Sequence, residues 1–181
     1  DESSALKELF SNIKAIIAVH AESENIIRQN KERYMTQAGI ELPIRYHSLI
    51  RDAEACYRSS AQAVEWASKY GSRLHILHLS TQRELSLLKD LALEEKKSTA
   101  EVCVHHLWFD DRDYERLGAA IKWNPSVKQE ADKLALRTAL NSNLIDVVAT
   151  DHSPHLWFEK EGSCFEAASG APSVQFGLVL M

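Results

Sequence analysis

Leu74-His75-Ile76-Leu77-His78-Leu79-Ser80 is an apolar run of strand length that ends in a histidine, and its reading sets the fold of the whole chain. Two further runs have the same form. Ile16-Ile17-Ala18-Val19-His20-Ala21-Glu22 also closes on a histidine, and Ile145-Asp146-Val147-Val148-Ala149-Thr150-Asp151 closes on an aspartate. The runs lie too far apart for hairpin partners, whereas parallel strands joined through helices accept such separations. In barrels built this way the strand carboxyl ends face the site, so a polar residue closing an apolar run stands where chemistry occurs. Three such ends brought together make a metal site, with His20, His78 and Asp151 as donors.

Between these runs the pattern changes to helical. From Ser48 to Tyr70, Leu49, Ala53, Cys56, Tyr57, Ala61, Val64 and Ala67 recur at helical spacing, and Gly71 stands where a helix stop is favoured. A helix is also expected in Ala5 to Phe10, in Ser23 to Tyr34 ahead of the loop Gly39 to Pro43, and in Lys128 to Asn141. Thr81 is expected to cap another from Gln82 to Glu94, Glu101 to Val104 reads as a short strand, and Asp110 to Lys122 as mixed loop and helix. Strand and helix thus alternate about four times, half of an eightfold α/β barrel. An open doubly wound sheet is the alternative, but no GxGxxG or GxxxxGK marks its usual site.

Of 181 residues, 45% are hydrophobic and 26% charged, the composition of a folded unit with one sizeable core. A net charge of −5 and the lack of a basic, aromatic-studded stretch argue against nucleic-acid binding. No apolar run approaches the ~20 residues needed to cross a bilayer, so no membrane role is expected and the cytoplasm is the expected location. The three cysteines, Cys56, Cys103 and Cys164, are odd in number and scattered, as reduced structural residues are. The chain opens without methionine inside a helical stretch and stops in the apolar run Phe176 to Met181. Residues 1–181 are therefore expected to be a fragment of a single barrel domain whose N-terminal half is absent.

Side-chain alternation assigns the remaining histidines. If His78 faces the barrel axis with Leu74 and Ile76, His75 faces the surrounding helices. Of the adjacent His105 and His106, at most one is expected to reach the site. His47, between Arg45 and Arg51, is expected at the surface with no role. Asp151 opens Asp151-His152-Ser153-Pro154-His155, in which Pro154 stiffens the turn and His155 can fold back over a ligand. A carboxylate there can bind a metal and also accept a proton.

At these residues the chain resembles the cyclic amidohydrolases of the amidohydrolase superfamily, and within them the dihydroorotases. The matching segments are Val19-His20-Ala21-Glu22, His78-Leu79-Ser80-Thr81, Glu101-Val102 with His105-His106-Leu107, Lys122-Trp123-Asn124-Pro125, Thr150 to His155, and Glu159-Lys160 with Ser169-Gly170. Any one of these is weak, but together, in order, they are specific.

The resemblance implies part of a TIM-type (β/α)8 metal-dependent hydrolase barrel, its fifth, sixth and eighth strands ending in His20, His78 and Asp151. The family's His-x-His of the first strand and the acidic or carboxylated-lysine ligand of the fourth would lie upstream of Asp1. It further implies one or two zinc ions held by His20, His78 and Asp151, with Asp151 also carrying the catalytic proton. Asn124, His155, Ser169 and Gly170 would contact substrate. The implied activity is the reversible hydrolysis of the cyclic amide of dihydroorotate to N-carbamoyl-aspartate in de novo pyrimidine synthesis, by a full-length protein expected to be a homo-oligomer. The fragment alone is expected to be inactive. Allantoinases and hydantoinases share much of the pattern, and Ser126-Val127 departs from what many relatives carry after Asn124-Pro125. A barrel that has lost its metal and serves as a scaffold is the non-enzymatic alternative.

Overall fold

Strand and helix alternate through residues 2–181, which the computed structural model describes. The elements run α1 (Glu2–Asn12), β1 (Ile17–Val19), α2 (Glu24–Ala38), α3 (Tyr46–Ile50), α4 (Ala53–Tyr70), β2 (Leu74–Leu79), β3 (Ser98–Cys103), α5 (Val104–Trp108), α6 (Tyr114–Leu117), α7 (Glu130–Leu140) and β4 (Val147–Ala149), with short 3-10 turns between several of them. The sheet order is β1-β2-β3-β4, and every pairing is parallel. Each strand thus pairs with the next in sequence, as around a barrel, whereas a doubly wound sheet reverses order at a switch point. The chain is part of a (β/α)8 barrel.

The helices cover one face of the sheet. Leu74, Ile76 and Leu79 of β2, with Ala100 and Val102 of β3, pack against Ala63, Trp66 and Ala67 of α4 and Leu136 and Ala139 of α7. Phe10 of α1 meets Trp66 edge-on, with ring centroids 5.6 Å apart. A second cluster, Ile27, Leu42, Ile50, Ala55 and Cys164, ties α2, α3 and α4 to the last loop. Asp146 stands just before β4, not within a strand, and its carboxylate joins β3 to β4. It accepts from Ala100 N at 2.9 Å and from the buried Lys96 Nζ at 2.6 Å.

Several boundaries differ from the sequence expectation, each for a local reason. The helix expected from Ser48 to Tyr70 is two helices. Arg51 leaves helical dihedrals, and Asp52 restarts the chain as an N-cap whose carboxylate accepts from Ala55 N at 2.9 Å. Gly71 ends α4 in the left-handed conformation at φ 70°, as its placement predicts. The helix expected from Gln82 to Glu94 is a 3-10 turn, Arg83–Leu87. Leu88 turns extended and enters the core while Leu91 stays exposed, so packing overrides helix propensity. β3 begins earlier than expected, and Val104 opens α5 instead of closing the strand.

Candidate active site

The carboxyl ends of β1 and β2 bring His20 and His78 into contact. His20 Nδ1 lies 2.9 Å from His78 Nε2, and the rings meet edge-on. Simple alternation does not place His78 there. β2 carries an extra residue between Ile76, which pairs with Ala100, and Leu79, which pairs with Val102. His78 sits at this bulge with φ 37°, a conformation rare outside glycine. The facing expected for β2 is thereby corrected: Leu74 and Ile76 pack under the helices, and His75 lies on the opposite face. There His75 Nδ1 is 2.9 Å from Thr99 Oγ1 and its Nε2 is 3.2 Å from Glu101 Oε2. The other Glu101 oxygen accepts from His78 N at 3.3 Å and so supports the bulge.

Glu22, two residues beyond His20, is a partner that the sequence reading quoted without assigning. Its side chain is fully buried, with Oε2 3.0 Å from His20 Nε2 and 2.5 Å from Arg51 Nη1. Burial pushes the Glu22 carboxyl up, but the His20 bond and the Arg51 charge outweigh it and hold the group below its ordinary value. An ionised Glu22 draws the His20 proton to Nε2 and turns the Nδ1 lone pair toward His78. This is the carboxylate–histidine arrangement that orients metal ligands. Two nitrogens bound to one tetrahedral zinc stand about 3.3 Å apart, so a slight opening of the 2.9 Å pair fits the ion. His78 is lowered to about 4 by burial and by His20, so it is neutral and able to ligate.

Asp151 closes the β4 run with φ 45°, the second non-glycine residue in the left-handed region among those described. Burial raises its carboxyl above the ordinary value, while His20 pulls it down. The segment after it is pinned from behind. Ser153 N donates to Ala171 O at 3.2 Å, and Val174 N donates to His152 Nδ1 at 3.2 Å.

Of the four residues expected to contact substrate, Asn124, Ser169 and His155 are joined by hydrogen bonds and Gly170 follows Ser169. Ser169 Oγ donates to Asn124 Oδ1 at 3.2 Å, His155 Nε2 donates to Ser169 O at 3.0 Å, and Gly170 N donates to Lys122 O at 2.7 Å. Gly170 has φ 125°, and a Cβ there would stand 2.5 Å from Ser153 O, so the close approach requires glycine. A cleft of about 610 Å³ borders Asn124 and Ser169, and its charged lining is Arg28, Lys31, Arg51 and Lys122 against Glu24 and Glu166.

His47 is a correction: it is 5% exposed, not a surface residue, and its Nε2 donates to Trp123 O at 2.7 Å. Burial lowers it to about 3, so the ring is neutral. His106 Nε2 donates to Pro125 O at 3.0 Å, so two buried histidines hold the carbonyls on either side of Asn124. His105 stacks on Trp123 at 4.1 Å. Ser126 is fully satisfied, donating to Arg51 O at 2.9 Å and accepting from Lys128 Nζ at 2.8 Å. His47 and Arg51 carried no local signal, since only the fold folds α3 onto this loop.

No family model matches the chain. Individual relatives do. The chain is 37% identical over 188 residues to a dihydroorotase of Methanosarcina mazei, across all of this chain and 40% of that protein. It is 34% identical to an allantoinase of Bacillus velezensis, across 92% of this chain and 36% of the relative. A D-hydantoinase crystal structure superposes with a TM-score of 0.87 at 19% identity, over 99% of this chain and 41% of that one. A dihydroorotase of Saccharomyces cerevisiae in complex with 5-fluoroorotic acid superposes at 0.71 with 16% identity, over 99% of this chain and 47% of that one. The chain belongs to the cyclic amidohydrolases. Within that family it is similar to dihydroorotases, of whose length it spans about 40%.

Proposed function

We propose that this chain supplies the last four βα units of a zinc-dependent dihydroorotase that opens the ring amide of dihydroorotate to N-carbamoyl-aspartate, a step of pyrimidine synthesis. The observation that carries the reading is the His20–His78 pair, 2.9 Å apart at the ends of neighbouring parallel strands and backed by buried Glu22. His20, His78 and Asp151 would hold the metal, together with ligands from outside this chain. Zinc bound there supplies Lewis-acid polarisation of the ring carbonyl.

Glu22 keeps the His20 proton on Nε2, leaving Nδ1 free as a donor. The Asp151 carboxylate accepts the proton of the attacking water and passes it to the departing ring nitrogen. Asn124 Nδ2 stays available to substrate because Oδ1 accepts from Ser169. His155 and the Ser169-Gly170 backbone close the same wall. Arg28 and Lys31 in the adjoining cleft favour a substrate that carries a carboxylate. Dihydroorotate has one, whereas the allantoin and hydantoin rings are uncharged, so allantoinase or hydantoinase activity is the second reading. The allantoinase of Bacillus velezensis, 34% identical, is the observation in its favour.

The test is turnover by the full-length protein on dihydroorotate, allantoin and hydantoin, with zinc content measured beside a His78→Ala variant. Expected is preference for dihydroorotate, with loss of zinc and turnover in the variant. Preference for an uncharged ring would move the assignment to the second reading, and a folded protein with neither zinc nor turnover would make the barrel a scaffold. The 181-residue chain alone is expected to show no turnover.

A further inference from the structure

Where β3 passes into α5, Cys103, His105 and His106 gather their side chains in the interior. One donor atom from each lies within 4.8 Å of the others, and all three residues are buried. The pattern of satisfied and unsatisfied nitrogens here is unusual. His106 Nε2 donates to Pro125 O, but His106 Nδ1 and both ring nitrogens of His105 have no partner among the described residues. A buried polar atom without a partner is costly, and one ion can take His106 Nδ1 together with one nitrogen of His105. Stacking on Trp123 accounts for the plane of the His105 ring and occupies neither nitrogen. Burial first, and then the charges of Asp151 and Glu101, push the Cys103 thiol up, so without an ion it keeps its proton.

We propose that Cys103, His105 and His106 form a second metal site, for a borderline-soft divalent ion of the zinc type, separate from the one at His20 and His78. A thiolate and two imidazoles are the donor set such ions take, with a fourth position left for water or another side chain. On binding, the Cys103 thiol gives its proton to solvent as the sulfur–metal bond forms, and each histidine contributes a lone pair. The ion's charge is unchanged, and no oxidant or reductant is needed. Tetrahedral sulfur and nitrogen donors stand about 3.6 Å apart, so the three side chains must draw inward from their present spacing.

Sulfur makes the two sites distinguishable, because the His20–His78 centre has no thiolate. The full-length protein, stripped of metal and reloaded with cobalt(II), is expected to show a near-ultraviolet thiolate-to-cobalt charge-transfer band. That band should vanish in Cys103→Ser, along with about one bound ion per chain, and persist in Cys56→Ser and Cys164→Ser. Absence of the band in the parent, or its survival in Cys103→Ser, overturns the proposal and leaves the buried nitrogens to water. Should Cys103→Ser fail to fold, His105→Gln carries the test: a band that is weakened or shifted supports the site, and an unchanged band overturns it. The readout involves no turnover, so it stands or falls independently of the dihydroorotase reading.

Discussion

Glu22 shows how a single buried carboxylate decides the character of a neighbouring histidine. Held ionised by His20 and Arg51, it fixes which His20 nitrogen carries the proton and so which one can bind a metal. Glu22→Gln keeps the shape and removes the charge. Partners of this kind are worth 10- to 100-fold in metal affinity or activity, and a loss of about that size is expected in the full-length protein, read as zinc retained against a competing chelator. Wild-type retention would mean that His20 is oriented by something else. The strained residues belong to this scale as well: the left-handed dihedrals of His78 and Asp151 fall on two of the three residues that the sequence nominates as ligands. The strand-end positions of His20, His78 and Asp151 were legible because a polar residue ending an apolar run is a local pattern. Glu22 was readable as text, but its role depends on a side-chain contact that no pattern reports.

Elements determine whether the wall around Asn124 keeps its shape. The Asn124 loop is held by α3 through His47, by α5 through His106 and by the last loop through Gly170 and Ser169. Gly170 is the tightest of these contacts, because its φ of 125° and the 2.5 Å approach to Ser153 O leave no room for a methyl group. Gly170→Ala is expected to destabilise the full-length protein by about 1–3 kcal/mol from backbone strain alone. On the proposed role of this loop in binding substrate, the change should also raise KM more than it lowers kcat. Urea unfolding and steady-state kinetics check both, and an unchanged denaturation midpoint would show that the loop yields at little cost. In the core, Leu136 of α7 is wholly buried against the sheet, and Leu136→Ala should cost about 2–5 kcal/mol in the same unfolding measurement. Helix α4 and its Gly71 stop were legible from spacing, whereas the 3-10 turn at Arg83–Leu87 was not, because the core position taken by Leu88 is a tertiary fact.

At the scale of the whole molecule, burial of neutral histidine makes stability depend on acidity. His47 has its pKa lowered to about 3 from 6.5, chiefly by burial, with the Trp123 carbonyl and Glu22 pulling upward and Lys122 and Arg51 pushing down. Between these two values the unfolded chain binds a proton that the folded chain refuses, so acidification through this window favours unfolding. His47's share of stability is fully present above pH 6.5 and is lost progressively as the pH falls toward about 3. His47→Gln can still donate to Trp123 O but cannot titrate. Its stability is expected to fall less steeply than wild type from pH 6.5 downward, measured as urea midpoints across that range. Equal slopes would mean that His47 is protonated in the folded protein.

The order of the elements, the parallel layout and the place of His20, His78 and Asp151 after apolar runs were determined by the sequence itself, because alternation, helical spacing and a polar residue closing an apolar run are properties of neighbours along the chain. The bulge that turns His78 toward His20 was decided only in the tertiary structure, as were the burial of His47 and the ion pair between Arg51 and Glu22. The physical reason is the same in each case. Hydrogen bonds and ion pairs of buried groups depend on distance in space, and the residues that satisfy them arrive from other elements whose approach is set by packing.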